Sequence, residues 1–278
     1  MTKIITDSAA NISQAETKEM ELKVLPFPIT FEDEEFLDDI NISIDEFYNK
    51  LTSTKIFPKT SQLSMEDLEN VFEEAKQNNE KVLLILLSSA LSGTYNTANM
   101  LKRDGGYDNV YIYDSKGATT LNRILVDVAL RNKDKEPEEI IKILDEVRSK
   151  INLIAAVDTL EYLKRGGRLS AAKAAIGGLL SLKPILTINE SGSLEVKGKA
   201  IGFNNAIKNI VTMVEKEGGI DTDYPVYFLY SMTDANCQKL QKQFENVGIK
   251  ECKTINLCSV IGCHVGPGVA GITYVKKA

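Results

Sequence analysis

The sequence predicts an α/β protein of two unlike halves, and three patterns carry that expectation. Val82-Leu83-Leu84-Ile85-Leu86-Leu87 is a continuous apolar run of strand length followed by small polar residues. Strands buried on both faces of a parallel sheet have this pattern. A helical stretch over Thr94 to Lys102 and a β-rich run from Val110 to Asp114 follow, completing a βαβ unit. Beyond Lys150 the rhythm changes, and six candidate strands are separated by only about three helices. Such a count predicts a mixed sheet covered on one face. The change falls near Lys150 to Asn152, so 1–150 and 151–278 are expected to form two domains.

Each element has its own local reason. Lys3 to Asp7 reads as a strand. Ser13, with Glu16 three residues on, caps a helix to Glu19. Leu22 to Ile29 reads as a second strand, weakened or held at an edge by Pro26 and Pro28, which have no N–H to give a ladder. Ser43 caps a helix through Leu51, and Ser64, with Asp67 behind it, caps another through Gln77. A helix through Val126 and one from Glu138 to Lys150 close the first half. Strands are then expected at Leu153 to Val157, Pro184 to Ile188, Leu194 to Lys199, Pro225 to Tyr230, Glu251 to Ile255 and Gly271 to Val275.

Composition narrows the function. Of 278 residues, 26% are charged and 43% hydrophobic, which is ordinary globular usage. A net charge of -6 argues against nucleic acid as a partner, because phosphate neutralisation needs a basic face. The four cysteines form no CxxC pair and have one histidine to join them, so no metal site is expected. No basic start followed by an apolar stretch marks a signal peptide, and no run is long enough to span a bilayer. The expected setting is the cytoplasm with reduced thiols, and at most transient membrane contact.

Four segments carry candidate chemistry. The only histidine, His264, sits in Gly262-Cys263-His264-Val265-Gly266-Pro267-Gly268, which reads as a rigid turn poor in side chains. A histidine placed there looks positioned for a polar ligand, although packing at a strand end is the common alternative. Ser88-Ser89-Ala90-Leu91-Ser92-Gly93-Thr94-Tyr95 leaves the carboxyl end of the most buried strand and opens a helix. Ligands settle at that rim of an α/β sheet, and a helix N-terminus favours an anion. Helix capping alone needs fewer hydroxyls than this segment holds. Lys59-Thr60-Ser61-Gln62-Leu63-Ser64 is a second hydroxyl-rich loop, able to meet the first across the rim.

Lys164, Arg165 and Arg168 surround a Gly-Gly turn, as a phosphate site, a docking patch or a solvated loop would. Ala171 to Leu182 is small and aliphatic, with Gly177-Gly178 suited to close packing or to a thin apolar ligand. Asp7-Ser8 and Asp114-Ser115 read as loop caps with no catalytic role.

In this order, Ile5-Thr6-Asp7-Ser8, Thr60-Ser61-Gln62-Leu63-Ser64, Leu91-Ser92-Gly93-Thr94-Tyr95, Asp114-Ser115, Leu160 through Ser170, Leu182-Lys183-Pro184-Ile185-Leu186 and His264-Val265-Gly266-Pro267-Gly268 span the chain. Together they resemble the DegV family of bacterial fatty-acid-binding proteins. The resemblance implies an α/β/α domain on a parallel sheet and a smaller α/β domain on a mixed six-stranded sheet. It implies a long-chain fatty acid buried in a tunnel between them, with its carboxylate at the rim. By motif position Thr60, Ser92 and His264 hold that carboxylate, with Ser61, Gly93, Thr94 and Gly266 as backbone or supporting contacts. An ionised carboxylate needs several donors when buried.

The resemblance also implies a carrier rather than an enzyme. A separate ATP-dependent fatty acid kinase would make the acyl phosphate, facing Lys164, Arg165 and Arg168, and no cofactor is implied. The chain has no Walker A motif of its own.

The sequence departs from the family pattern at Leu63, where proline is usual, and at Ile201, where arginine is common. Leu121-Asn122-Arg123 replaces smaller residues, which predicts a bulkier tunnel wall. Two other functions stay open: a serine hydrolase using Ser92 as nucleophile and His264 as base, and a sensor of another apolar acid.

Overall fold

The computed structural model describes residues 1–169 and 181–277. Its first half contains β1 (Lys3–Asp7), α1 (Gln14–Met20), β2 (Lys23–Leu25), β3 (Pro28–Phe31), β4 (Glu34–Leu37), α2 (Ile44–Ser53) and β5 (Lys59–Thr60). It continues through α3 (Met65–Gln77), β6 (Val82–Leu86), α4 (Thr94–Gly105), β7 (Val110–Asp114), α5 (Thr120–Arg131) and α6 (Pro137–Arg148). The parallel sheet has the order β2-β1-β6-β7. Every residue of β6 is buried, as its unbroken apolar run requires. The Ser13–Glu16 capping box forms as the sequence indicates, and the Ser43 cap proves to be a capping box with Glu46.

The expected strand from Leu22 to Ile29 is two strands in two sheets. Pro26 and Pro28 cannot donate to a ladder, and Phe27 N–H is taken by the Ser8 hydroxyl at 3.1 Å. The chain therefore leaves β2 at the edge of the parallel sheet and starts a three-stranded antiparallel sheet ordered β4-β3-β5. Neither β4 nor β5 is legible in the sequence, because both are short and half-exposed.

The second half comprises β8 (Ile151–Ala156), α7 (Glu161–Arg165), β9 (Leu182–Ile188), β10 (Leu194–Ile201), α8 (Phe203–Lys216), β11 (Val226–Tyr230), α9 (Ala235–Lys242), β12 (Cys252–Asn256), α10 (Ser259–Val265) and β13 (Ala270–Val275). Its sheet is mixed, ordered β10-β9-β8-β13-β11-β12, with only β11 and β12 parallel. All six expected strands are present, within a few residues at their ends. The Gly177-Gly178 segment and Ser170 lie outside the described residues.

Strand alternation splits this sheet into two apolar faces. Ile154, Ala156, Ile185, Phe228 and Ile272 point to one side, where residues of α8 and α9 complete a core. Leu153, Ala155, Leu186, Ile188 and Leu229 point to the other, into the core of the first half. The sheet is thus buried on both faces rather than one. Helix α5 touches β1 and β6 of one sheet and β8 and β13 of the other, so it lies between them. Nine of its residues are buried, the polar Thr120, Asn122 and Arg123 among them.

Candidate functional site

The inward face of the mixed sheet does not close completely on the first half. Between them lies a cavity of about 300 Å³. Leu153, Ala155, Val157, Leu186, Ile188, Leu194 and Leu229 form one wall, and Phe27, Leu87, Ala118, Leu257, Val260 and Val269 form much of the rest. Among the described residues the polar lining is short: Thr60, Ser61, Gln62, Ser92, Thr119, Arg168 and His264.

One pair of these polar side chains is in direct contact. Thr60 on β5 meets His264 on α10, with 2.8 Å between Oγ1 and Nε2. Either group can donate, depending on the tautomer. Arg168 donates from Nε to Leu91 O at 3.1 Å, beside Ser92, and from Nη1 to Gly166 O at 2.7 Å. Gly93 backs onto the Gln62 carboxamide. Ser92 Oγ is 3.0 Å from Thr94 Oγ1 and accepts from Thr94 N–H at 3.3 Å. Thr94 Oγ1 in turn accepts from Leu63 N–H at 3.3 Å, which joins the two hydroxyl-rich loops. A proline in place of Leu63 has no N–H and could not make that bond.

The loop that presents Ser92 is held from below by the two strand-end acids. Asp7 accepts from Leu87 N–H at 2.7 Å and from Ala9 N–H at 3.1 Å. Complete burial pushes its carboxyl up to about 7. Asp114 accepts from Ser89 N–H and from the Ser89 hydroxyl, at 3.1 and 2.6 Å. Both acids cap loops, as their sequence context indicates. The hydroxyls of the loop do not fully account for α4: its N-cap is Gly93, which provides no side-chain cap.

His264 is not on a turn. It occupies the last turn of α10, and Gly266 ends that helix at φ +71°. A Cβ on Gly266 would stand 2.2 Å from the Tyr162 ring. Gly266→Ala is therefore expected to destabilise the protein by more than about 1 kcal/mol, since it adds both strain and a clash. Urea unfolding of the two proteins checks this; equal midpoints would contradict it. Burial, and secondarily the Arg168 cation, push the His264 imidazole down to about 4, so it is neutral near pH 7. Its Nδ1 is buried without a hydrogen-bond partner among the described residues.

The three cations of the basic turn separate. Arg168 lines the cavity, whereas Lys164 and Arg165 are exposed. Arg165 pairs with Glu161 at 2.7 Å and lies 3.9 Å over the Phe57 ring, which stacks on Tyr162. Ile201 ends β10 at 63% exposure and is not part of the cavity. The expected bulky wall is also absent. Leu121, Asn122 and Arg123 are buried in α5 between the sheets, and the cavity instead takes Ala118 and Thr119 from this stretch. Arg123 is engaged there with Glu16 and Asn11 O.

Ser92 and His264 do not form a nucleophile–base pair, since each hydrogen-bonds a threonine instead. Among the described residues no group of three His, Cys, Asp or Glu could hold a metal ion. No helix among them is long and apolar enough to cross a membrane.

Comparison with known proteins bears on this geometry. A model of the DegV family matches residues 1–277. The chain belongs to the DegV family. A DegV domain-containing protein of Clostridium acetobutylicum is 30% identical, over 99% of this chain and 98% of that one. Among solved structures, a DegV family protein from Thermus thermophilus described for its fatty acid binding superposes with a TM-score of 0.89, at 28% identity and 99% coverage of both chains. DegV of Bacillus subtilis, described as a fatty acid binding protein, gives a TM-score of 0.82 at 28% identity and the same coverage. The pairing of a parallel four-stranded sheet with a mixed six-stranded one is thus the DegV fold.

Proposed function

We propose that this DegV protein binds a long-chain fatty acid in the cavity between its two sheets and presents the carboxylate to a separate ATP-dependent kinase. One observation carries the first part: a cavity walled by the apolar face of a sheet, with hydroxyl, imidazole and guanidinium groups in its lining. That division suits an acid with a long apolar tail. Each methylene removed from water contributes about 0.8 kcal/mol. Thr60, Ser92, His264 and Arg168 offer the carboxylate neutral donors and one cation, the set a buried anion needs. The neutral imidazole has one N–H to give and does not add a second buried charge.

The exposed Lys164 and Arg165 are the candidates for contact with the kinase. With the chain divided at 150/151, the ligand lies between an α/β/α domain and a smaller α/β domain. No observation favours hydrolysis, since the two groups it would need are engaged elsewhere.

The test is organic extraction and mass spectrometry of the purified protein, followed by titration of the delipidated protein with oleate and palmitate. A retained or readily bound long-chain acid is the expected result. A protein that purifies empty and takes up neither acid overturns the proposal, and retention of a different apolar acid replaces the ligand class.

A further inference from the structure

We infer that Asp38, which lies outside the lining of the cavity between the sheets, is a positioning residue: its buried carboxylate fixes the start of α10 and so places His264 against Thr60. This inference rests on the proposed use of His264 as a carboxylate contact.

Asp38 follows β4 and is completely buried. Its Oδ2 accepts the Ser8 hydroxyl at 2.9 Å. Its Oδ1 accepts Ser259 N–H at 3.0 Å, and Oδ2 lies 3.4 Å from Val260 N–H. Those two amides open α10, whose N-cap residue Cys258 supplies no side-chain cap of its own. First-turn N–H groups have no partner within their helix, and a carboxylate satisfies them better than a neutral group.

The contacts close a ring. The Asp38 amide donates to Phe27 O at 3.0 Å, at the entry to β3. β3 pairs with β5 in a register that sets Ile29 beside Thr60. From Asp38 the other arm runs along α10, about 10 Å for seven residues, to His264. The Thr60–His264 contact at 2.8 Å is where the two arms meet. Ser8 locks the ring to β1, because its hydroxyl also accepts Phe27 N–H at 3.1 Å.

Other contacts also hold α10. Cys258 N–H donates to Asn11 Oδ1 at 2.9 Å. Gly262 lets α10 lie directly on α2, since a Cβ there would be 2.6 Å from Phe47 and 2.7 Å from the Tyr48 hydroxyl. Packing on α2 fixes the distance of α10 from its neighbour. The hydrogen bonds at its start fix its position along its own axis. The titratable groups that feel Asp38 are Asp7, Tyr48, Cys258 and Cys263. Among the described residues the charged group acting on His264 is Arg168.

Asp38→Asn keeps the size but turns an amide N–H₂ toward one of the donors it must satisfy. The experiment reads the ring resonances of the single imidazole by NMR at pH 7.5, where Asp38, raised by burial to about 6, is ionised, in the ligand-free full chain, with oleate affinity and thermal midpoint measured in parallel. Phe72→Leu is the control for general destabilisation, because Phe72 is buried against Tyr107 outside the ring. Asp38→Asn is expected to move the His264 ring resonances toward those of a solvated imidazole and to weaken oleate roughly tenfold. Phe72→Leu should lower the midpoint and change neither. Unchanged resonances in a folded Asp38→Asn protein overturn the inference, as does an equal shift in Phe72→Leu. Should Asp38→Asn fail to fold, Ser8→Ala decides: shifted resonances support positioning, and unshifted ones overturn it. The imidazole is read without ligand, so a wild type that ignores oleate would refute the binding proposal and leave this one standing.

Discussion

Replacing Arg168 with alanine is expected to weaken binding of a long-chain fatty acid by roughly ten- to a hundredfold, the loss of one charge-assisted hydrogen bond of about 1.5–3 kcal/mol. The reason is its place: Arg168 lines the cavity and is tied by Leu91 O next to Ser92. The exposed Lys164 and Arg165 should behave differently. Their alanine variants are expected to keep the ligand and to slow association with a kinase, most visibly at low salt, since exposed charges are screened and act mainly on encounter. Direct fatty-acid titration alongside kinase turnover at two ionic strengths separates the three residues. An Arg168→Ala protein that binds like wild type would place the carboxylate away from this cation and return Arg168 to the docking patch.

The second large effect concerns the only histidine. His264 is expected to stay neutral down to about pH 5 in the empty protein, because burial and then Arg168 hold it near 4. Its folded-state value lies below the ordinary unfolded value of about 6.5. The stability tied to it is therefore complete above pH 6.5 and is lost as the pH falls toward 4, by about 3 kcal/mol in all. Asp7 and Asp38, raised by burial to about 7 and about 6, act in the opposite sense over this range. Comparing wild type with His264→Gln cancels their contribution, so the difference in unfolding free energy isolates the imidazole. That difference should fall steadily from pH 7 to pH 4, and a flat difference would mean that the imidazole is solvated. Arg168→Ala should raise the His264 titration as well, which couples the two predictions through one NMR signal.

Much of this architecture is written locally. The apolar run of β6, the capping boxes at Ser13 and Ser43, and the alternation along β8 and β11 all depend on residues a few positions apart. Local chemistry also marked the two hydroxyl-rich loops, because side chains that only cap a helix need not be so many. The failures have equally local causes. Two prolines dividing β2 from β3 look like an irregular strand until the second sheet is seen. His264 among glycines looks like a turn, yet the run from Ser259 to Val265 is helical, because Asp38 satisfies its first turn from more than two hundred residues away.

By itself, then, the sequence determined the two kinds of layer, most of their strands and helices, and the residue types available to hold an acid. Tertiary structure alone decided which of them meet. Thr60 and His264 are 204 positions apart, and Arg168 and Leu91 are 77 apart. Only tertiary structure sorted Arg168 into the cavity and Lys164 and Arg165 onto the surface, and moved Leu121, Asn122 and Arg123 from the expected wall into the space between sheets. The physical reason is the range of the forces. Helix capping and strand alternation are settled within a turn or a pleat, whereas a binding site is made where distant segments are pressed together by the burial of apolar faces that no local pattern can pair.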